Sequence, residues 1–287
     1  MTDPVRAIAD AVLYEGYVLW PYRPSALKNQ RRWTFGGVFP PAHAREHPDD
    51  RCLVRAECLF EGEPGDVELS VRFLHVVRRD AAEGAEFVAW DEATERELGP
   101  GVFAIPAGRE AGVGLLRSWE GLQGSIELRT EPVVPGVLRA TVEIANRTPW
   151  AGGDRQEALR RTFCSTHAVL RTAGGRFVSQ ADPPERLRAA ADACRQEGLW
   201  PVLVADDVVL ASPIILEDHP RIAPESPGDL FDGGEIDQML VLNLLAMTDE
   251  EREAMRAADP RTRAILERTE ALTPEQLMRL HGRLTTR

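Results

Sequence analysis

Hydrophobic and polar residues alternate through Val67-Glu68-Leu69-Ser70-Val71-Arg72-Phe73, which predicts a strand with one wet face and one buried face. Ser125 to Arg129 alternates in the same way, and so does Val137 to Asn146 after the turn signal Pro135-Gly136. Cys52 to Phe60 is an apolar-rich run broken by Gly62-Glu63-Pro64-Gly65. Such strands separated by turns point to an antiparallel sandwich or barrel. Ahead of them, Val5, Ile8, Ala9, Val12 and Leu13 share one face of a helix within residues 5–20. Trp33 to Phe39 reads as a strand that stops at Pro40-Pro41.

After residue 160 the period becomes mixed. Thr166 to Arg171 and Arg176 to Ser179 read as a hairpin across Ala173-Gly174-Gly175, and a helix is expected from Asp182 to Glu197, stopped by Gly198. Trp200 to Val204 and Val208 to Leu216 are short strands, and Ile236 to Ala246 is a helix. Thr248 and Glu251 make a capping box for a helix ending near Asp259-Pro260, and Thr273-Pro274-Glu275-Gln276 opens a last helix. The expected class is α+β and β-rich, with an antiparallel sandwich-like N-terminal part, a mixed α/β C-terminal part and terminal helices. The expected organisation is an aromatic and basic segment over 1–50, an antiparallel β domain over 51–160, and a mixed part with an acidic loop and C-terminal helices over 161–287. The two larger parts are free to share one core.

Composition narrows the function classes. A net charge of -12 argues against general nucleic-acid binding, which needs a basic surface to displace counterions. No run of about 18 apolar residues offers a membrane span, and the first residues lack the features of a signal peptide, so a cytoplasmic protein is expected. Cys52, Cys58, Cys164 and Cys194 read as buried thiols. One Lys accompanies thirty-three Arg, a mark of GC-rich coding that weakens any argument from the mere presence of an Arg.

The charge is unevenly placed. All three tyrosines and the only lysine fall between Tyr14 and Trp33, and no acid occurs between Glu15 and Glu46. Rings beside guanidinium groups suit a recognition surface, so Tyr17, Trp20, Tyr22, Lys28, Arg31, Arg32 and Trp33 are candidate partner-binding residues. The same composition suits a core strap in which rings pack and Arg side chains reach out to water, or a ligand pocket. The electrostatic opposite is the stretch from Glu217 to Asp237, in which Glu225, Asp229, Asp232 and Glu235 are candidate metal-holding or acid–base carboxylates. The better reading is a structured loop that caps Ile236 and its helix, and a contact with a partner or with the basic segment of the same chain comes next. His43 and His47 are four apart, but they sit between Pro40-Pro41 and Pro48, where a solvated loop is the better reading than a metal site. His75, His167 and His219 have no partner fixed by spacing and read as structural. There is no GxSxG, no phosphate-binding loop, no dinucleotide fingerprint and no CxxC.

Two sets of residues carry a resemblance. Tyr14 to Tyr22 with Ser25-Ala26-Leu27-Lys28-Asn29, and Ser212 to Leu216 with Ala223 to Asp232, resemble an uncharacterised bacterial family, frequent in actinobacteria, associated with gene neighbourhoods of nickel–iron hydrogenases. The likeness spans most of the chain, and that family assigns no catalytic residue to carry over. What it implies is an accessory role in making or assembling a metalloenzyme. The leading expectation is therefore a non-catalytic accessory or assembly protein acting through protein–protein contact, with a hydrogenase or its maturation factors as partner and with no cofactor. The rival is a metal-dependent hydrolase using residues 225–237.

Overall fold

The computed structural model describes residues 4–18, 22, 29, 32–33, 35–81, 90–112, 115–222, 230, 237–257 and 260–279. Within them the chain forms twelve strands and eight α-helices. One sheet orders β10 (Arg176–Phe177), β1 (Leu53–Glu61), β8 (Val137–Asn146), β7 (Leu122–Val134) and β4 (Gly101–Ile105). The other orders β11 (Trp200–Ala205), β12 (Val208–Ser212), β9 (Cys164–Thr172), β2 (Val67–Ala81), β6 (Leu115–Trp119) and β5 (Gly108–Gly112), with β3 (Trp90–Leu98) also paired to β2. Every pairing between these strands is antiparallel.

The alternation read in the sequence sets which side of each strand is dry. Val54, Ala56, Cys58 and Phe60 of β1 meet Val67, Leu69, Val71 and Phe73 of β2 in one apolar cluster fed by both sheets. Leu199, Val209 and Ala211 join the same cluster, so strands from both sides of residue 160 share sheets and core. A second cluster brings Tyr17, Tyr22 and Trp33 together with Leu240, Val241 and Leu244 near the other end of the chain.

The structure corrects several local expectations. Thr166–Arg171 and Arg176–Ser179 do not form a hairpin: β9 pairs with β2 and β12, whereas β10 pairs with β1 in the other sheet. Gly175 permits the crossing, since a Cβ there would lie 2.3 Å from the Glu61 carbonyl oxygen. The helix expected from Asp182 to Glu197 shrinks to a 3-10 turn and α4 (Arg188–Asp192). Its expected second half docks on β1 instead, with Glu197 and Arg55 exchanging backbone hydrogen bonds of 2.8 and 2.7 Å. The Gln196 side chain accepts from Glu57 N at 3.0 Å and donates to Glu57 O at 2.7 Å. Between Trp33 and Phe39 no strand forms among the described residues: Val38 makes isolated bridges to Phe163 and Arg51, and the Phe35 and Gly36 carbonyls accept from Ser165 N and Thr166 N. A strand cannot run through Trp33 and Gly36, because both have left-handed φ, 57° and 55°.

The N-terminal helix α1 (Pro4–Tyr14) ends where Gly16 takes a φ of 71°. Its polar side is held by charge. Buried Arg72 pairs with Asp10 at 2.5 Å and with Glu95, while Arg6 reaches Glu95 at 3.0 Å and Glu97 at 3.2 Å. Helix α2 (Pro41–Glu46) replaces the loop expected around His43, with Pro41 at its first position, where a missing N–H costs nothing. Pro260, read as a stop, likewise opens a helix. After α3 (Arg155–Leu159) and α4, the chain closes with α5 (Asp237–Leu245), α6 (Asp249–Ala257), α7 (Pro260–Glu270) and α8 (Pro274–Arg279). Both capping boxes form: Thr248 Oγ1 accepts from Glu251 N at 3.2 Å, and Thr273 Oγ1 accepts from Gln276 N at 3.3 Å. Among the described residues no helix is long and apolar enough to cross a membrane.

Candidate functional site

Between Tyr14 and Trp33 the described residues are buried, apart from half-buried Glu15. Tyr17, Tyr22, Arg32 and Trp33 are all buried, so these four candidate partner-binding side chains are not presented on the surface. Tyr14 meets Tyr17 edge-on at 5.7 Å, and Tyr17 meets Trp33 at 6.3 Å. The Arg32 guanidinium lies 4.3 Å from the Trp33 ring centre and donates to the carbonyls of Tyr17, at 3.2 Å, and Asp91. A second guanidinium, Arg261 from α7, lies 4.0 Å from the centre of the Tyr14 ring. Burial raises the Tyr14 phenol pKa above its ordinary value, with Arg261 opposing the shift. Cations stacked on rings inside a core tie the N-terminal segment to the C-terminal helices. Trp20, Lys28 and Arg31 lie outside the described residues.

Of the acidic stretch, Glu225, Asp229, Asp232 and Glu235 also lie outside the described residues. Leu230 is described and is buried, and its carbonyl accepts the Tyr22 hydroxyl at 3.2 Å. That contact brings the backbone of the acidic stretch against the N-terminal segment at one point. The Asp218 carboxylate is taken up by the fold, since it accepts from Leu203 N at 2.8 Å and from the Ser179 hydroxyl at 2.5 Å.

His43 is buried on α2 between the Phe39 ring, 5.0 Å away, and the His47 ring, 4.2 Å away. Its Nε2 lies 3.0 Å from Asp50, which also takes Arg155 at 2.7 Å. A carboxylate already shared by an imidazole and a guanidinium has little left for a cation. Among the described residues no group of three His, Cys, Asp or Glu side chains is placed to hold a metal ion.

The remaining titratable groups are core members. Burial, helped by the Arg96 charge, lowers the His75 pKa to about 4, and burial does the same to His167. The Glu120 carbonyl can only accept, so His75 Nε2 donates to it at 2.9 Å, and Nδ1 is left to accept from Arg96 at 3.4 Å. All four cysteines are free. Cys58 and Cys164 are buried, and burial pushes both thiols up, Cys164 to about 12, which makes them poor nucleophiles. Cys52 and Cys194 are only half-buried, short of the burial expected for all four.

The surface feature that sequence reasoning missed is on α5. Leu240, Val241 and Leu244 bury one face of this helix in the second cluster. Met239 and Leu242, three apart on the opposite side, are 52% and 49% exposed. Ala246, just past the end of the helix, extends this exposed stripe. An amphipathic surface helix normally carries polar residues on its outer side. The signal was present in the run Met239-Leu240-Val241-Leu242-Asn243-Leu244-Leu245, which has no polar face at a period of 3.6. Compared with protein-family models and with curated proteins, the chain matches none.

Proposed function

We propose that the protein is a non-catalytic accessory or assembly factor that works by protein–protein contact, with the outer face of α5 as its docking element. The observation that carries this reading is the exposed pair Met239 and Leu242 on a helix whose other face is already buried. Apolar area left on the outside of a helix is stabilised when a partner covers it, at about 25 cal/mol per Å² removed from water. Methionine suits such a contact, since its flexible thioether adapts to the surface it meets. Aromatic anchoring inside the core supports the same reading. Tyr17, Tyr22 and Trp33 pack in the cluster that backs α5, so the helix is presented on a rigid base. The resemblance of Tyr14 to Tyr22 and Ser212 to Leu216 to a hydrogenase-associated family supports a nickel–iron hydrogenase, or a factor that matures it, as the partner.

The test is co-elution and cross-linking of the purified chain with hydrogenase subunits and maturation factors from the same host. The wild-type chain is expected to co-elute with one of them, and the doubly substituted Met239→Glu, Leu242→Glu chain is expected to elute alone. Both positions are exposed, so the melting temperature should stay near that of wild type. Retention of the partner by the folded double variant would remove α5 as the docking element.

A further inference from the structure

A concave surface of about 500 Å³ lies between α1 and the segment that follows β12. One wall is a single face of α1, made by Ile8, Ala11 and Val12 at helical spacing, with Glu15 just past the end of the helix. The small Ala11 in the middle of that face leaves room between its larger neighbours. The other wall comes from Ile214, Leu216, Pro220 and Ile222, and Phe35 completes the lining. Phe35 and Ile222 are 40% and 50% exposed, which leaves large apolar side chains open to water in this groove. The volume falls in the range of about 300–1,000 Å³ usual for small-molecule sites.

The walls are fixed in place. The segment carrying Pro220 and Ile222 is tied to β11 through the Asp218 carboxylate on Leu203 N at 2.8 Å, and His219 N donates to the Leu203 carbonyl at 2.6 Å. The start of that segment packs on Gly36, where an added Cβ would lie 2.8 Å from Pro213. Opposite, α1 is clamped by the ion pairs of Arg6 with Glu95 and of Asp10 with Arg72. A groove formed in advance spares a ligand the cost of ordering it.

Two lining residues are charged. Glu15 is already engaged within the chain. Arg221 is exposed, and among the described residues it has no hydrogen-bond or ion-pair partner. The open charge of the groove is therefore a guanidinium, whose planar fork matches a carboxylate.

We propose that this groove binds a small amphipathic carboxylate of the medium-chain fatty-acid class, with its tail along α1 and its carboxylate on Arg221. The site is separate from the α5 face, and neither reading depends on the other. Isothermal titration calorimetry of the full chain with dodecanoate, below its micelle concentration, is expected to show saturable binding of one molecule per chain. Ala11→Trp, at a half-buried position that can accept the ring, fills the groove and should abolish the signal while the melting curve stays cooperative. Arg221→Ala should weaken dodecanoate binding by about five- to tenfold, the scale of one charge-assisted contact near the surface. Dodecan-1-ol should bind wild type more weakly than dodecanoate, and dodecyltrimethylammonium more weakly still. Absence of saturable binding, or binding unchanged by Ala11→Trp, would overturn the site. Equal affinity for the three head groups would overturn the role of Arg221. Concentration-dependent dimerisation that Ala11→Trp or Ile222→Asp abolishes would give the groove to a second copy of the chain and overturn the ligand.

Discussion

Arg32 shows how one side chain can serve two opposite expectations. Rings next to guanidinium groups look the same in a sequence whether they face a partner or a core, because the chemistry that makes the contact is shared. Burial decides between them, and burial of Arg32 is made tolerable by the carbonyls of Tyr17 and Asp91 and by the Trp33 ring. Removing the cation leaves those carbonyls and that ring without their partner. Arg32→Ala is expected to lower unfolding free energy by about 3 kcal/mol in urea denaturation. Arg32→Lys should recover less than half of this, since an ammonium group can neither stack nor reach both carbonyls at once. A wild-type midpoint for the Ala variant would show that the cation holds nothing together.

At the level of elements, the short-range signals were legible and the pairings were not. The capping box at Thr248 and Glu251 is built from residues three apart, and it forms as expected. Thr248→Ala should cost about 1 kcal/mol, read as a lower melting temperature, and Thr248→Ser should recover most of it. Full stability in the Ala variant would mean that tertiary packing alone fixes the start of α6. The run from Met239 to Leu245 also announced a helix with no polar face, a pattern that needed only to be read at its proper period. By contrast, the turn signal Ala173-Gly174-Gly175 looked like a hairpin, and nothing local distinguishes a hairpin turn from a crossing between sheets. The choice is made by Phe177, which faces Phe60 at 5.3 Å across the first sheet. In the same way Glu57, far away in sequence, draws Arg195 and Gln196 out of the expected helix.

Across the molecule as a whole, two neutral histidines make folding sensitive to acid. His75 and His167 have their pKa lowered to about 4 by burial. Their unfolded value is near 6.5, so between about pH 6.5 and 4 the unfolded chain binds more protons and stability rises with pH. The contribution is complete above about 6.5 and is lost as pH falls to about 4, on the order of 3 kcal/mol for each ring. Glu61, held low by Arg186 and Arg176, and Glu143, held low by Arg55 and Arg129, extend the loss to lower pH. Denaturation midpoints measured from pH 7 to 4 should fall steeply, and His75→Gln should flatten the slope; a flat wild-type profile would contradict neutral burial. The order of residues alone was enough for the β-rich class, most of the strands and the capped helices, because alternation and caps are properties of near neighbours. Three-dimensional packing was needed to turn the aromatic segment inward, to join strands from both sides of residue 160 in two sheets, and to enclose a groove between α1 and the segment after β12. Those outcomes depend on contacts between residues tens to hundreds of positions apart, and no local pattern encodes which distant surfaces will exclude water together.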